Sequence, residues 1–163
     1  MQVAGVDDAG RGSVIGPLAI AGVLLEDKDL HKLMDFSTGQ RGWLAHVNQP
    51  TGPKVSKYRV NLTDLNAIGV NAILSAVKNA DVIIVDEIGP MELFSQAFRD
   101  AVVQAIESKK PMLGTIHYKV RASLIDTIKT REDAEIIKVT YENRRHLHTK
   151  IVGEVVQFLQ KLS

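Results

Sequence analysis

A chain of 163 residues with 45% apolar side chains is one domain's worth, and folding buries roughly two-thirds of the surface its unfolded form exposes, so no covalent staple is needed. Its 20 basic and 19 acidic residues leave a formal net charge of +1, so no overall basic field points to a polyanion partner. The absence of cysteine excludes disulfides, thiolate nucleophiles and cysteine-ligated zinc, and fits a reducing compartment.

The longest near-apolar run, Val14 to Leu25, is too short to span a bilayer and is broken by Gly16-Pro17. The opening MQVAGVDDAG has no basic region followed by an apolar core. These features predict a soluble cytoplasmic protein with no membrane partner, a monomer or weak oligomer.

In chain order, QVAGV and PLAIAGVLL read as two strands of a hairpin around an Asp7-Asp8 and Gly10-Arg11-Gly12 turn. EDKDLHKLM, from Glu26 to Met34, is expected to be a short polar helix. STGQRGWLAHV and KYRVNL read as further strands, with Phe36 and Trp43 as core anchors rather than base-stacking platforms. Between them, NQPTGPK carries Pro50, Gly52 and Pro53 and is expected to hold no regular structure. Asn61 or Thr63 is placed to cap a helix through Lys78, whose register is loose around Gly69.

From there strands and helices alternate: DVIIVDE, then SQAFRDAVVQAIES, PMLGTIH, RASLIDTIKT, AEIIKVT and a closing helix from Asn143. This alternation predicts an α/β fold, a mostly parallel sheet with helices on both faces, in one domain over residues 1–163. Ligands of such sheets collect beyond the carboxyl ends of the strands. His117, His146 and His148 read as surface histidines, because positions i and i+2 of a helix face apart.

The informative string is VIIVDEIGPMEL. An apolar run fixes a buried strand, and Asp86 and Glu87 follow where that strand leaves the core. This is Walker-B geometry, in which the first acid holds magnesium and the second polarises the attacking water. A strand must also end in something polar, so the string by itself leaves a purely structural role open.

With STGQRGWLA, GPKVSKY, DEIGPMEL and VTYENR in order, the chain from Phe36 to its end resembles the small thermostable nucleoside-triphosphatase family. The resemblance implies a P-loop NTPase-like core acting on ATP, GTP and related nucleoside triphosphates with Mg2+ (or Mn2+). It makes Asp86 and Glu87 the catalytic acids, with Asp86 on the metal. Ile83, Ile84, Val85, Asp86, Glu87, Ile88 and Gly89 would line the nucleotide site, and Lys57 and Arg144 match positions near the phosphates or base.

That family opens with a strand, the phosphate loop GxxxxGK[ST] and a helix, and no such string occurs in this sequence. The nearest approach, GVDDAGRGS, puts Arg11 where the lysine belongs and Gly12 where the hydroxyl belongs. Its Asp7 and Asp8 would repel a triphosphate, and Val14-Ile15-Gly16-Pro17 leads into a strand rather than a helix.

The opening instead resembles type 2 ribonuclease H, from Met1 to about Leu33. That likeness implies that Asp7 and Asp8 bind a divalent metal, and that Gly10, Arg11 and Gly12 read the ribose 2′-OH of an RNA–DNA hybrid. Asp8 stands where Glu is usual and Ser13 where Pro is usual. The later acids of that metal site have no counterpart here. Two fragments are thus joined between Leu30 and Phe36: a ribonuclease-like hairpin and short helix over residues 1–35, and a nucleoside-triphosphatase-like core over 36–163. The leading expectation is a chimeric nucleoside triphosphatase impaired by loss of its phosphate loop. The alternatives are an endonuclease on RNA–DNA hybrids and a non-catalytic nucleotide- or protein-binding module.

Overall fold

The structure, a computed structural model, describes residues 12–15, 30–117 and 119–162. The expected strands QVAGV and PLAIAGVLL, and Asp7, Asp8, Gly10 and Arg11 between them, lie outside these residues. Gly12, read as part of the turn, instead begins strand β1 (Gly12–Ile15).

A four-stranded antiparallel sheet follows, built from β2 (Leu30–Met34), β3 (Arg41–His46), β4 (Lys54–Val55) and β5 (Tyr58–Val60), in the order β2-β3-β5-β4. The helix expected over Glu26 to Met34 is therefore corrected at its C-terminal half. LHKLM is short enough to satisfy either period, and pairing with β3 decides for the strand. Lys54 also leaves the irregular loop, because β4 pairs with β5 across a two-residue turn at Ser56 and Lys57.

The register between β2 and β3 shifts between His31 and Lys32, leaving Leu44 as an extra residue on β3. Leu44 and Ala45 consequently both point inward, at 2% and 0% exposure, while Trp43 is turned outward at 48%. Phe36, in the turn after β2, is 44% exposed. Neither aromatic is a core anchor, contrary to the sequence reading.

The next helix starts at Leu62–Asp64 (α1), where the Asn61 side chain accepts a hydrogen bond from the Asp64 amide. It widens to π-helical turns over Leu65–Val70 and returns to α geometry at Asn71–Asn79 (α2). The loose register at Gly69 is this widening. A Cβ at Gly69 would lie 3.2 Å from Leu65 Cδ1 in the same turns, tighter than ordinary packing, and at ordinary contact distance, 3.6 Å, from Leu33 of β2.

The second sheet has the order β6-β7-β1-β8, with β6 (Ile83–Ile88) parallel to β7 (Met112–Ile116), and β1 antiparallel to both β7 and β8 (Glu135–Ile137). Helices α3 (Gln96–Glu107), α4 (Ser123–Thr130) and α5 (Arg144–Leu162) complete the α/β fold. Alternate strand residues serve opposite faces. Ile83, Val85, Met112 and Ile116 join the main core with Phe98, Val102 and Ile125, whereas Val82, Ile84, Leu113 and Ile137 pack on Ile151 and Val155 of α5. Leu44 and Val60 of the antiparallel sheet belong to that same main core. Among the described residues no helix is long and apolar enough to cross a membrane.

Candidate functional site

β6 ends in an irregularity that sets the site. Val85 pairs with Gly114 and Ile88 with Ile116, so Asp86 and Glu87 together span the place opposite Thr115 alone. Such a bulge re-aims side chains at a sheet edge. The Asp86–Glu87 peptide is cis. Both acids are half-buried at the carboxyl end of the strand, and the Oε1 atom of Glu87 is itself buried. The Thr115 hydroxyl of the neighbouring strand donates to Asp86 Oδ1 at 2.5 Å.

The turn that follows is fixed by a third carboxylate. Glu92, only 6% exposed, accepts a hydrogen bond from the Gly89 amide at 3.0 Å. A Cβ on Gly89 would lie 2.7 Å from Glu87 Oε1, so only glycine leaves the Glu87 side chain where it is. Further on, Ser95 caps α3 by accepting from the Phe98 amide, while its hydroxyl donates to Asn66 Oδ1 at 2.5 Å. The π-helical turns and the segment after β6 are thereby tied together.

Ile83, Val85 and Ile88 are each 1% exposed and lie in the core, so their side chains position the edge rather than form its open surface. Lys57 sits in the exposed β4–β5 turn with its ammonium 5.2 Å from the Tyr58 ring centroid. Arg144 opens α5, its guanidinium 4.2 Å from the Tyr141 ring centroid. The residues from Ile83 to Ile88 are the whole of β6, with Gly89 next after it and only the two acids and Ile88 at its carboxyl end, whereas Lys57 and Arg144 stand on separate elements. Gly12 is placed by its backbone alone, in register with Ile116. His146 and His148 are exposed and His117 is half-buried. Among the described residues no three His, Asp or Glu side chains form a metal-ligand group.

Thr115 and Glu92 were not singled out from the sequence. The signal for Thr115 is a hydroxyl placed where PMLGTIH alternates away from the main core. For Glu92 it is an acid inside the apolar run after Gly89.

A family model described as NTPase matches residues 26–152, and one described as Ribonuclease HII matches residues 4–38. The chain is 42% identical over 131 residues to the nucleoside-triphosphatase THEP1 of Thermofilum pendens, covering 80% of this chain and 72% of that one. To the THEP1 of Methanosarcina acetivorans it is 40% identical over 152 residues, covering 93% and 83%. The crystal structure of THEP1 from the hyperthermophile Aquifex aeolicus superposes with a TM-score of 0.71 at 22% identity, covering 86% of this chain and 83% of that one.

Proposed function

The chain belongs to the NTPase family whose model matches residues 26–152, and on that premise we propose that it binds nucleoside triphosphates with magnesium at the end of β6 and hydrolyses them slowly. The observation that carries this reading is the pair Asp86 and Glu87 on a bulged strand end, with Asp86 oriented by Thr115. A half-buried carboxylate that accepts from a neighbouring hydroxyl is a hard oxygen donor of the kind magnesium takes together with substrate phosphates and water. The metal would neutralise charge on the phosphates. Asp86 holds it in place, and Glu87, one residue on, orients water.

The slow rate follows from what cradles the triphosphate. A phosphate loop supplies backbone N–H groups and a lysine, and each preorganised donor of that kind is worth about 3 kcal/mol in the transition state. The sequence contains no GxxxxGK[ST] string to supply them. The polarity of β1 supports the same reading. A phosphate loop leaves its strand at the carboxyl edge, whereas β1 enters the sheet there, with Gly12 opposite Ile116.

Steady-state phosphate release with magnesium and ATP or GTP tests the proposal. The expected result is turnover close to background, abolished by Glu87→Gln and unchanged by Asp7→Asn. Robust turnover that Asp7→Asn removes would overturn the partition of the chain. The match of residues 4–38 to Ribonuclease HII favours, as second reading, cleavage of an RNA–DNA hybrid through Asp7 and Asp8. An assay on a duplex with one embedded ribonucleotide separates the two.

A further inference from the structure

The outer face of the antiparallel sheet has a composition that the nucleotide site does not explain. The bulge at Leu44 puts Trp43 beside Arg41 on the side away from the core, and the paired registers carry Arg59 and Lys54 onto the same side as His46. Arg41, Trp43, Lys54 and Arg59 are all exposed. None of the residues in the four strands, LHKLM, RGWLAH, KV and YRV, is acidic. Among the described residues, Asp35 is buried and accepts from Ser37 and Thr38, and Asp64 accepts from the Trp43 amide from the helix side. A chain with net charge of only +1 therefore places three exposed cations, Arg41, Arg59 and Lys54, on the same sheet face as an open indole.

We propose that this face binds single-stranded nucleic acid, with Trp43 stacking on a base and Arg41, Arg59 and Lys54 contacting the flanking phosphates. Three features favour this occupant over an acidic protein segment or a duplex. An aromatic ring lying open between cations is a stacking platform that tolerates any base. Unstacked bases are available to it only in a single strand. The Trp43 backbone is held on both sides, by pairing to Lys32 and by the Asp64 carboxylate at 3.1 Å, so the ring is presented from a fixed strand. The Arg59 guanidinium donates to the Gly52 carbonyl at 3.1 Å through one nitrogen, which leaves its other donors for a phosphate.

The sequence contains one tryptophan, so fluorescence excited selectively at tryptophan reports this face. Titration of the full chain with oligouridine of about 15 nucleotides at low salt should quench Trp43. Binding followed independently by anisotropy of labelled oligouridine should weaken about 10-fold in Trp43→Ala and survive in Trp43→Phe. The double substitution Arg41→Gln with Arg59→Gln should weaken it and lower the slope of log affinity against log salt by about 1.4, or about 0.7 for each phosphate that is no longer neutralised. Unchanged melting temperatures establish that the variants fold. The proposal is overturned if oligouridine leaves the fluorescence unchanged. It is equally overturned if Trp43→Ala binds as wild type, or if duplex DNA competes as well as the single strand.

Discussion

Thr115, on the strand beside β6, donates its hydroxyl hydrogen to Asp86 Oδ1, so the first acid of the Asp-Glu pair is aimed by a residue 29 positions further along the chain. Partners that orient a metal-binding carboxylate typically matter 10- to 100-fold in metal affinity. Thr115→Val should therefore weaken magnesium-dependent nucleotide binding by about 10-fold, and Thr115→Ser should restore it. Titration with a fluorescent ATP analogue, with and without magnesium, checks this. Equal affinity in Thr115→Val and wild type would remove Thr115 from the site.

Gly89→Ala tests the second acid. The added methyl group would stand 2.7 Å from Glu87 Oε1 and 2.9 Å from its Cδ, atoms at the far end of a flexible side chain. The backbone can stay while Glu87 swings away. The expected outcome is a melting temperature close to wild type together with loss of whatever phosphate release wild type shows. A large drop in stability would mean instead that the turn itself cannot accept the methyl group.

Asp35 supplies a pH-dependent contribution. Burial acts to raise its carboxyl pKa, but hydrogen bonds from Thr38 and Ser37 outweigh burial and hold it below the ordinary aspartate value. A lowered folded-state value means that the ionised form stabilises the fold above the unfolded pKa of about 3.9, and that this is lost as pH falls through the folded value. Asp35→Asn should cost about 1–2 kcal/mol at neutral pH. Urea midpoints measured from neutral pH down into that acid range should fall more steeply for wild type than for the variant.

Gly52 lies at φ +111, where a Cβ would sit 2.0 Å from the Val60 carbonyl oxygen. That neighbour is strand backbone and cannot yield as a side chain does. Gly52→Ala should destabilise by about 1–3 kcal/mol, more than Gly153→Ala, whose added methyl group meets nothing within 4 Å. Thermal melts of both variants make the comparison.

Leu44 reports on the coupling of the two sheets. It is 2% exposed and shares its core with Ile83, Val85 and Ile125 of the other sheet and its helices. Leu44→Ala should cost about 2–5 kcal/mol. If residues 30–162 melt as one unit, circular dichroism and Trp43 fluorescence will shift together in this variant, and separate transitions would show two independent parts.

The elements from Ile83 onward were legible because each has a clear period: apolar runs in β6 and β7, and spaced apolar residues in α3 and α4. The acids at the end of β6 were legible for the same reason, since the apolar run fixes where the strand leaves the core. The early sheet was less so. Five residues at Leu30–Met34 fit a helix or a strand equally well, and only the partner strand β3 settles which. Trp43 shows the limit most clearly. Strict alternation through RGWLAH puts Trp43 and Ala45 on one face, and the inserted Leu44 turns them to opposite ones. That insertion exists only in the pairing with β2. Thr115 was hidden likewise, as its role depends on a bulge in a different strand.

The direction of β1 bears on how this protein could change. Its chain passes Gly12 at the level of Ile116 and reaches Ile15 beside Leu113 and Glu135, so β1 itself ends on the side of the sheet remote from Asp86. A glycine-rich, lysine-bearing loop introduced by point substitutions directly after β1 would start from the strand end away from Asp86. A directed-evolution search for fast turnover confined to point substitutions there therefore meets a topological barrier, and recombination that reverses the strand is the shorter route.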